Sequence, residues 1–119
     1  NTDDWCDVFV TTVFQREGLS HLIGRECGVE RHIQIFKHLG IWNENGTSTP
    51  KSGDIITFNW DQDSQPNNGF ADHIGIVEYV ENGLIHTIEG NSGYVGTVKR
   101  NVYRIGHGNI RGFATPRYR

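Results

Sequence analysis

Apolar residues recur along this chain with two different periods, and the change falls near residue 54. Before it the spacing is helical. Trp5, Phe9 and Val13, with Cys6, Val10 and Phe14, form a wide apolar stripe. That stripe predicts a helix over residues 5–16, which Asp3 or Asp4 can cap. Gly18 and Ser20 break the pattern. A second helix is predicted over residues 29–39, with Val29, Ile33, Phe36 and Leu39 on one face. Gly40 then stands where a glycine commonly follows a helix end. Residues 43–53 read as a polar loop.

From residue 54 the period is two. Residues 54–58, 73–80, 84–89, 95–102 and 110–115 are predicted strands, and Glu81-Asn82-Gly83 is a hairpin signal. Residues 59–72 form a long polar loop directly before His73. Helices first and an antiparallel sheet after them indicate an α+β domain, with N-terminal helices packed on a twisted antiparallel β-sheet.

At 119 residues the chain fits one domain with one core. It has no run of 18 or more apolar residues, so no membrane span is expected, and no signal peptide is visible. Residue 1 lies only five positions before the first residue of chemical interest, which points to a piece of a longer protein. The net charge of −3 is unevenly placed. No acid follows Glu89, whereas Lys99, Arg100, Arg104, Arg111, Arg117 and Arg119 do. This is either a solvated basic edge or one that meets a polyanion. No nucleic-acid motif accompanies it, so no nucleic-acid partner is expected. Two cysteines make no disulfide framework. Cys27, in a loop before the second helix, reads as a small buried residue.

Three residues carry candidate chemistry. Cys6 sits at a helix start, where free amides and the positive end of the dipole favour a thiolate. Its own amide is expected to serve a developing oxyanion, and Asp7 is expected to turn toward solvent. His73 opens an apolar strand. Glu89 closes another, where a carboxylate is costly to bury without a partner. Each alone has a structural explanation; together they supply a nucleophile, a base and a group that orients the base. His21, His32, His38, His86 and His107 lack a comparable strand carboxylate. No CxxC or HExxH motif occurs, so zinc is not expected. Asp61-Gln62-Asp63 has oxygen ligands, but not the glycine and distal glutamate of an EF-hand.

The hairpin register decides whether His73 and Glu89 can meet. In unbroken strands, a two-residue turn at Asn82-Gly83 would point them to opposite faces. A three-residue turn would pair Val80 with Leu84 and Gly75 with Glu89, placing His73, Glu89 and Asn91 on one face. The three-residue turn is therefore expected, with Gly83 at positive φ and Gly75 leaving room for Glu89.

At Trp5-Cys6-Asp7-Val8-Phe9-Val10, Pro50-Lys51-Ser52-Gly53-Asp54-Ile55-Ile56-Thr57-Phe58, His73-Ile74-Gly75-Ile76-Val77 and Ile88-Glu89-Gly90-Asn91, the chain resembles the CHAP family. These are the cysteine, histidine-dependent amidohydrolases/peptidases of phage endolysins and bacterial cell-wall hydrolases. Gly112-Phe113-Ala114-Thr115-Pro116-Arg117-Tyr118 resembles the family's last strand. The resemblance covers residues 1–119 as a single CHAP-like catalytic domain. It implies a papain-like α+β fold and cleavage of an amide bond in peptidoglycan through an acyl-enzyme. Cys6 would be the nucleophile, His73 the base and then the acid, Glu89 the group orienting His73, and Asn91 the fourth polar residue. Action on the bacterial cell wall would follow release from the host cytoplasm during lysis, or secretion. A separate cell-wall-binding domain or subunit is the expected partner. Some members carry a glutamine donor before the cysteine, where this chain has Trp5. Several bind calcium through acids just upstream, where this chain has Asp3, Asp4 and Asp7; no cofactor is assigned, and calcium stays open. The alternative is a non-lytic cell-wall-binding or phage-tail module of the same fold.

Overall fold

The computed structural model describes residues 2–24, 28–90 and 97–118, with the backbone alone for residues 2–5. Helix α1 spans Thr2–Arg16 and ends before Gly18, which takes φ 72°. The short α2, Ser20–Ile23, was not expected from the breakers around it. Helix α3 is Val29–His38, and the chain leaves it through Gly40 at φ 75°. Its buried residues are Val29, His32, Ile33 and Phe36. The predicted apolar face is therefore present, with a histidine added to it.

Six strands follow: β1 Trp42–Asn43, β2 Ile55–Phe58, β3 His73–Glu81, β4 Leu84–Gly90, β5 Val98–Arg104 and β6 Ile110–Ala114. β1 lies in the segment read as loop, and it is only two residues long. All pairs are antiparallel, in the order β1-β6-β2-β3-β4-β5. This is the expected α+β arrangement of N-terminal helices on an antiparallel sheet. Among the described residues, no helix is long and apolar enough to cross a membrane.

Alternation along the strands sends side chains to two apolar clusters. Ile55, Ile74 and Ala114 join Cys6, Val10, Phe14, Ile33 and Phe36 under the helices. Ile56, Phe58, Val77, Ile85 and Phe113 form a second cluster on the opposite face. His73 and Gly75 share the parity of Val77, so the start of β3 turns its chemistry to this second face.

The β3–β4 hairpin differs from expectation in its turn and agrees in its register. Glu81 pairs with Leu84, so the turn has two residues, Asn82 at φ 54° and Gly83 at φ 77°. Positive φ at both positions matches the strand twist, and Asn-Gly tolerates it. The register then shifts between Val77 and Tyr79, and Gly75 faces Glu89. A bulge at Glu78 supplies the extra residue that was expected in the turn.

The loop before His73 is tightly fixed. The Asp72 amide donates to the Phe58 carbonyl at 2.9 Å, and the Trp60 amide donates to Asp72 Oδ1 at 3.3 Å. Buried Asn67 donates to the carbonyls of Gln62 and Gly108, each at 3.0 Å. The Ala71 amide donates to Glu30 Oε1 on α3 at 2.8 Å. Part of the basic C-terminal segment is used internally: Arg117 donates to the Leu39 carbonyl, Arg111 pairs with Glu44, and Arg100 pairs with Glu78.

Candidate active site

α1 packs against β3 and β4. This contact carries Cys6 to the place where β3 begins and β4 ends. Cys6 is fully buried, and its thiol donates to the Gly90 carbonyl at 3.4 Å. His73 Nε2 lies 2.6 Å from Glu89 Oε1, and the ring also hydrogen-bonds Cys6. With Nε2 taken by Glu89, Nδ1 is the ring nitrogen left for the thiol. The three residues singled out from sequence are therefore linked through His73. Asn91 and Cys27 lie outside the described residues.

Glu89 is 1% exposed, yet its carboxylate is well satisfied. Beyond His73, it accepts from Thr87 Oγ1 at 2.6 Å, Asn101 Nδ2 at 2.9 Å and the Tyr103 hydroxyl at 2.8 Å. Strand register explains the convergence. Thr87 is two residues from Glu89 and faces Asn101, while Tyr103 faces Ile85. All four polar side chains thus share one face. Gly75, opposite Glu89, is the matching space: a Cβ there would come within 2.6 Å of Glu89 Cγ.

Burial alone would push His73 toward its neutral form. The hydrogen bond to Cys6, followed by the bond to and charge of Glu89, outweighs it and raises the imidazole to about 9. Burial likewise opposes ionisation of Glu89, but His73, Thr87 and Tyr103 together hold its carboxyl below the ordinary value. Burial, then the Glu89 charge, pushes the Tyr103 phenol upward, so Tyr103 remains a donor. The stable arrangement is an imidazolium on a carboxylate, with the Cys6 sulfur at the ring's other edge.

Aromatic rings set the orientation of His73. Phe58 and Trp60 each lie 5.5 Å from it between ring centroids, and they stack on one another at 4.8 Å. An open cleft of about 390 Å³ is lined by Trp60, His73, Glu89, Lys99, Asn101, Val102 and Tyr103. Cys6 lies behind His73 rather than on the cleft wall.

Two local expectations fail. α1 begins at Thr2, so Cys6 falls in its second turn. Its amide belongs to the helical ladder and is not among the free donors of the first turn. Asp7 does not face solvent. It is fully buried, with Oδ1 2.6 Å from His32 Nδ1, and His32 Nε2 donates to the Ile23 carbonyl at 2.9 Å. The reason is that α3 and α2 cover that side of α1. His32, set aside in the sequence for want of a strand carboxylate, finds a helical one.

Thr87, Asn101, Tyr103 and Trp60 were not singled out from sequence. The signal for Thr87 was its parity with Glu89 on β4. Nothing local marked the other three. Among the described residues no three His, Cys, Asp or Glu side chains group as metal ligands, including at Asp61 and Asp63.

A family model for the CHAP domain matches residues 1–91. The chain is also similar to two crystal structures of Ly7917, one of them described as being with the hydrolyzing product of MDP. Identities are 24% and 26%, and the TM-score is 0.45 for both. Each match covers 68% of this chain and 33% of the other, so the chain spans about a third of those proteins. No curated protein matches the chain significantly.

Proposed function

The chain belongs to the CHAP domain family, and on that premise we propose that it is the catalytic domain of a peptidoglycan hydrolase. It cuts an amide bond of the wall through Cys6, as part of a phage lysin. The observation that carries this reading is the buried His73–Glu89 pair at 2.6 Å, with Cys6 at the ring's other edge.

The steps follow from that geometry. Cys6 enters as a thiolate, its proton released to solvent, beside the His73 imidazolium that Glu89 holds. The thiolate attacks the amide carbonyl and gives a tetrahedral oxyanion. As the C–N bond breaks, His73 gives its proton to the departing amine, and a thioester remains on Cys6. Neutral His73 then draws a proton from water, which attacks the thioester. The acid product leaves, and the Cys6–His73 pair is restored. Cys6 is fully buried, so substrate entry must open the structure around it.

Clearing of purified cell walls in a gel, followed by mass spectrometry of released fragments, tests the proposal. A clearing zone that Cys6→Ala abolishes, with new amine and carboxyl ends, is the expected result. Retention on walls with no clearing and no fragments would overturn it in favour of a binding module.

A further inference from the structure

We propose that Lys99 and Trp60 form a substrate subsite for a peptide carboxylate next to the scissile amide. This rests on the reading of the site as an amide hydrolase. It begins from an alternation on β5. Lys99 faces Glu89 across the β4–β5 ladder, and Asn101 and Tyr103 follow on the same face. Arg100 and Arg104 have the opposite parity, and Arg100 is engaged by Glu78. Lys99 is thus the cation that β5 presents to the cleft.

Its charge has no use inside the protein. Glu89, the nearest carboxylate by register, already accepts from His73, Thr87, Asn101 and Tyr103. No other described acid pairs with Lys99, and its side chain is exposed. An edge-strand lysine can simply discourage sheet-to-sheet pairing. That role does not require a place in the wall of the catalytic cleft, which Lys99 occupies.

Trp60 lines the same cleft, 44% exposed although it stacks on Phe58 and lies beside His73. Its position is fixed by the Asp72 hydrogen bond to its amide. A rigid, half-open aromatic face takes the apolar part of a short peptide. An ammonium in the same cleft takes an anion, and in a peptide substrate that anion is a carboxylate. Residues paired across strands lie about 5 Å apart, and successive peptide Cα atoms about 3.8 Å apart. Lys99, paired with the residue that holds His73, therefore lies within a residue or two of a peptide that passes His73.

The test uses two synthetic wall peptides that differ only in a free carboxylate or a carboxamide beside the scissile amide. The unaltered protein should favour the carboxylate about fivefold in kcat/KM, less so in high salt. Lys99→Met should lose this preference by slowing the carboxylate peptide alone, and Lys99→Glu should invert it. Trp60→Ala should weaken both peptides together. Calorimetric titration of Cys6→Ala protein with the same peptides reads the subsite without turnover, and adding Lys99→Met should remove its preference. If the peptides bind with this pattern but are not cut, the hydrolase reading fails and the subsite stands. Equal discrimination with and without Lys99, in binding or turnover, overturns the subsite.

Discussion

Two buried histidine–carboxylate pairs with the same 2.6 Å separation flank Cys6, and they differ in what the second ring nitrogen meets. His32 meets Asp7 with one nitrogen and the Ile23 carbonyl with the other. Both ring edges are occupied by fixed acceptors, the ring stacks on Phe36, and neither residue is exposed. That ring can move no proton to a substrate. His73 meets Glu89 with one nitrogen and offers the other to a thiol, at the edge of a cleft. A carboxylate partner by itself does not equip a histidine for proton transfer. What the second nitrogen faces decides whether it could serve.

The sharpest way to break the comparison is to remove what His73 faces. Cys6→Ala should reduce wall hydrolysis by about a thousandfold or more, since nucleophile and base act as one unit. The folded protein should keep its melting profile within a few degrees, and turbidity loss of wall suspensions measures the activity. Preserved lysis in that variant would reassign the nucleophile.

The inert pair should respond in stability instead. His32→Gln removes the 2.6 Å contact to the buried Asp7 carboxylate and should cost roughly 1–3 kcal/mol. Denaturant unfolding measures the loss, while kcat per folded molecule should change by no more than a few-fold. A large fall in kcat with stability intact would make His32 part of the chemistry.

Glu89→Gln keeps the shape of the network and deletes its charge. We expect kcat to fall about a hundredfold with KM little changed, because the imidazolium loses its ionic partner. A KM effect alone would point to substrate contact. The same variant sharpens the pH behaviour. His73 is raised from 6.5 to about 9, so the stability from its proton is complete below 6.5 and lost as pH rises through about 9. Glu89 is lowered from 4.5, so its contribution is present above 4.5 and lost as pH falls. The melting-temperature gap between the unaltered protein and Glu89→Gln should therefore be widest between pH 4.5 and 6.5 and close above 9. A gap that widens toward pH 10 would contradict the ion pair.

The smallest effect is expected at Gly75. A methyl group there meets Glu89 Cγ at 2.6 Å and the Ile88 carbonyl at 3.1 Å. Gly75→Ala should cost about 1–3 kcal/mol of stability, in the range of overpacked cores. It should lower kcat by tilting Glu89 away from His73, and Glu89→Gln added to it should cost less than Glu89→Gln alone. Additive effects would show that Gly75 does not act through Glu89.

Much of this was legible from the chain. The change from helical to alternating period placed α1, α3 and the strands from β2 to β6 within a few residues. Cys6, His73 and Glu89 stood out because a reactive or charged side chain in an apolar pattern demands a partner. α2 and β1 were too short to generate a period. The Asn82-Gly83 turn is one residue shorter than local pairing rules give, because those rules assume unbroken strands and β3 carries a bulge at Glu78.

What the sequence determined by itself is therefore periodic and chemical: which segments alternate, which residues can react, and that Glu89 requires a donor. What only the tertiary structure decided is facing. Asp7 and Cys6 are neighbours on one helix, yet Asp7 turns to α3 and Cys6 to the sheet. Thr87, Asn101 and Tyr103 close around Glu89, and Lys99 comes to the mouth of the cleft. These outcomes depend on which elements pack together and in what register, and a one-residue slip in a strand reverses every face.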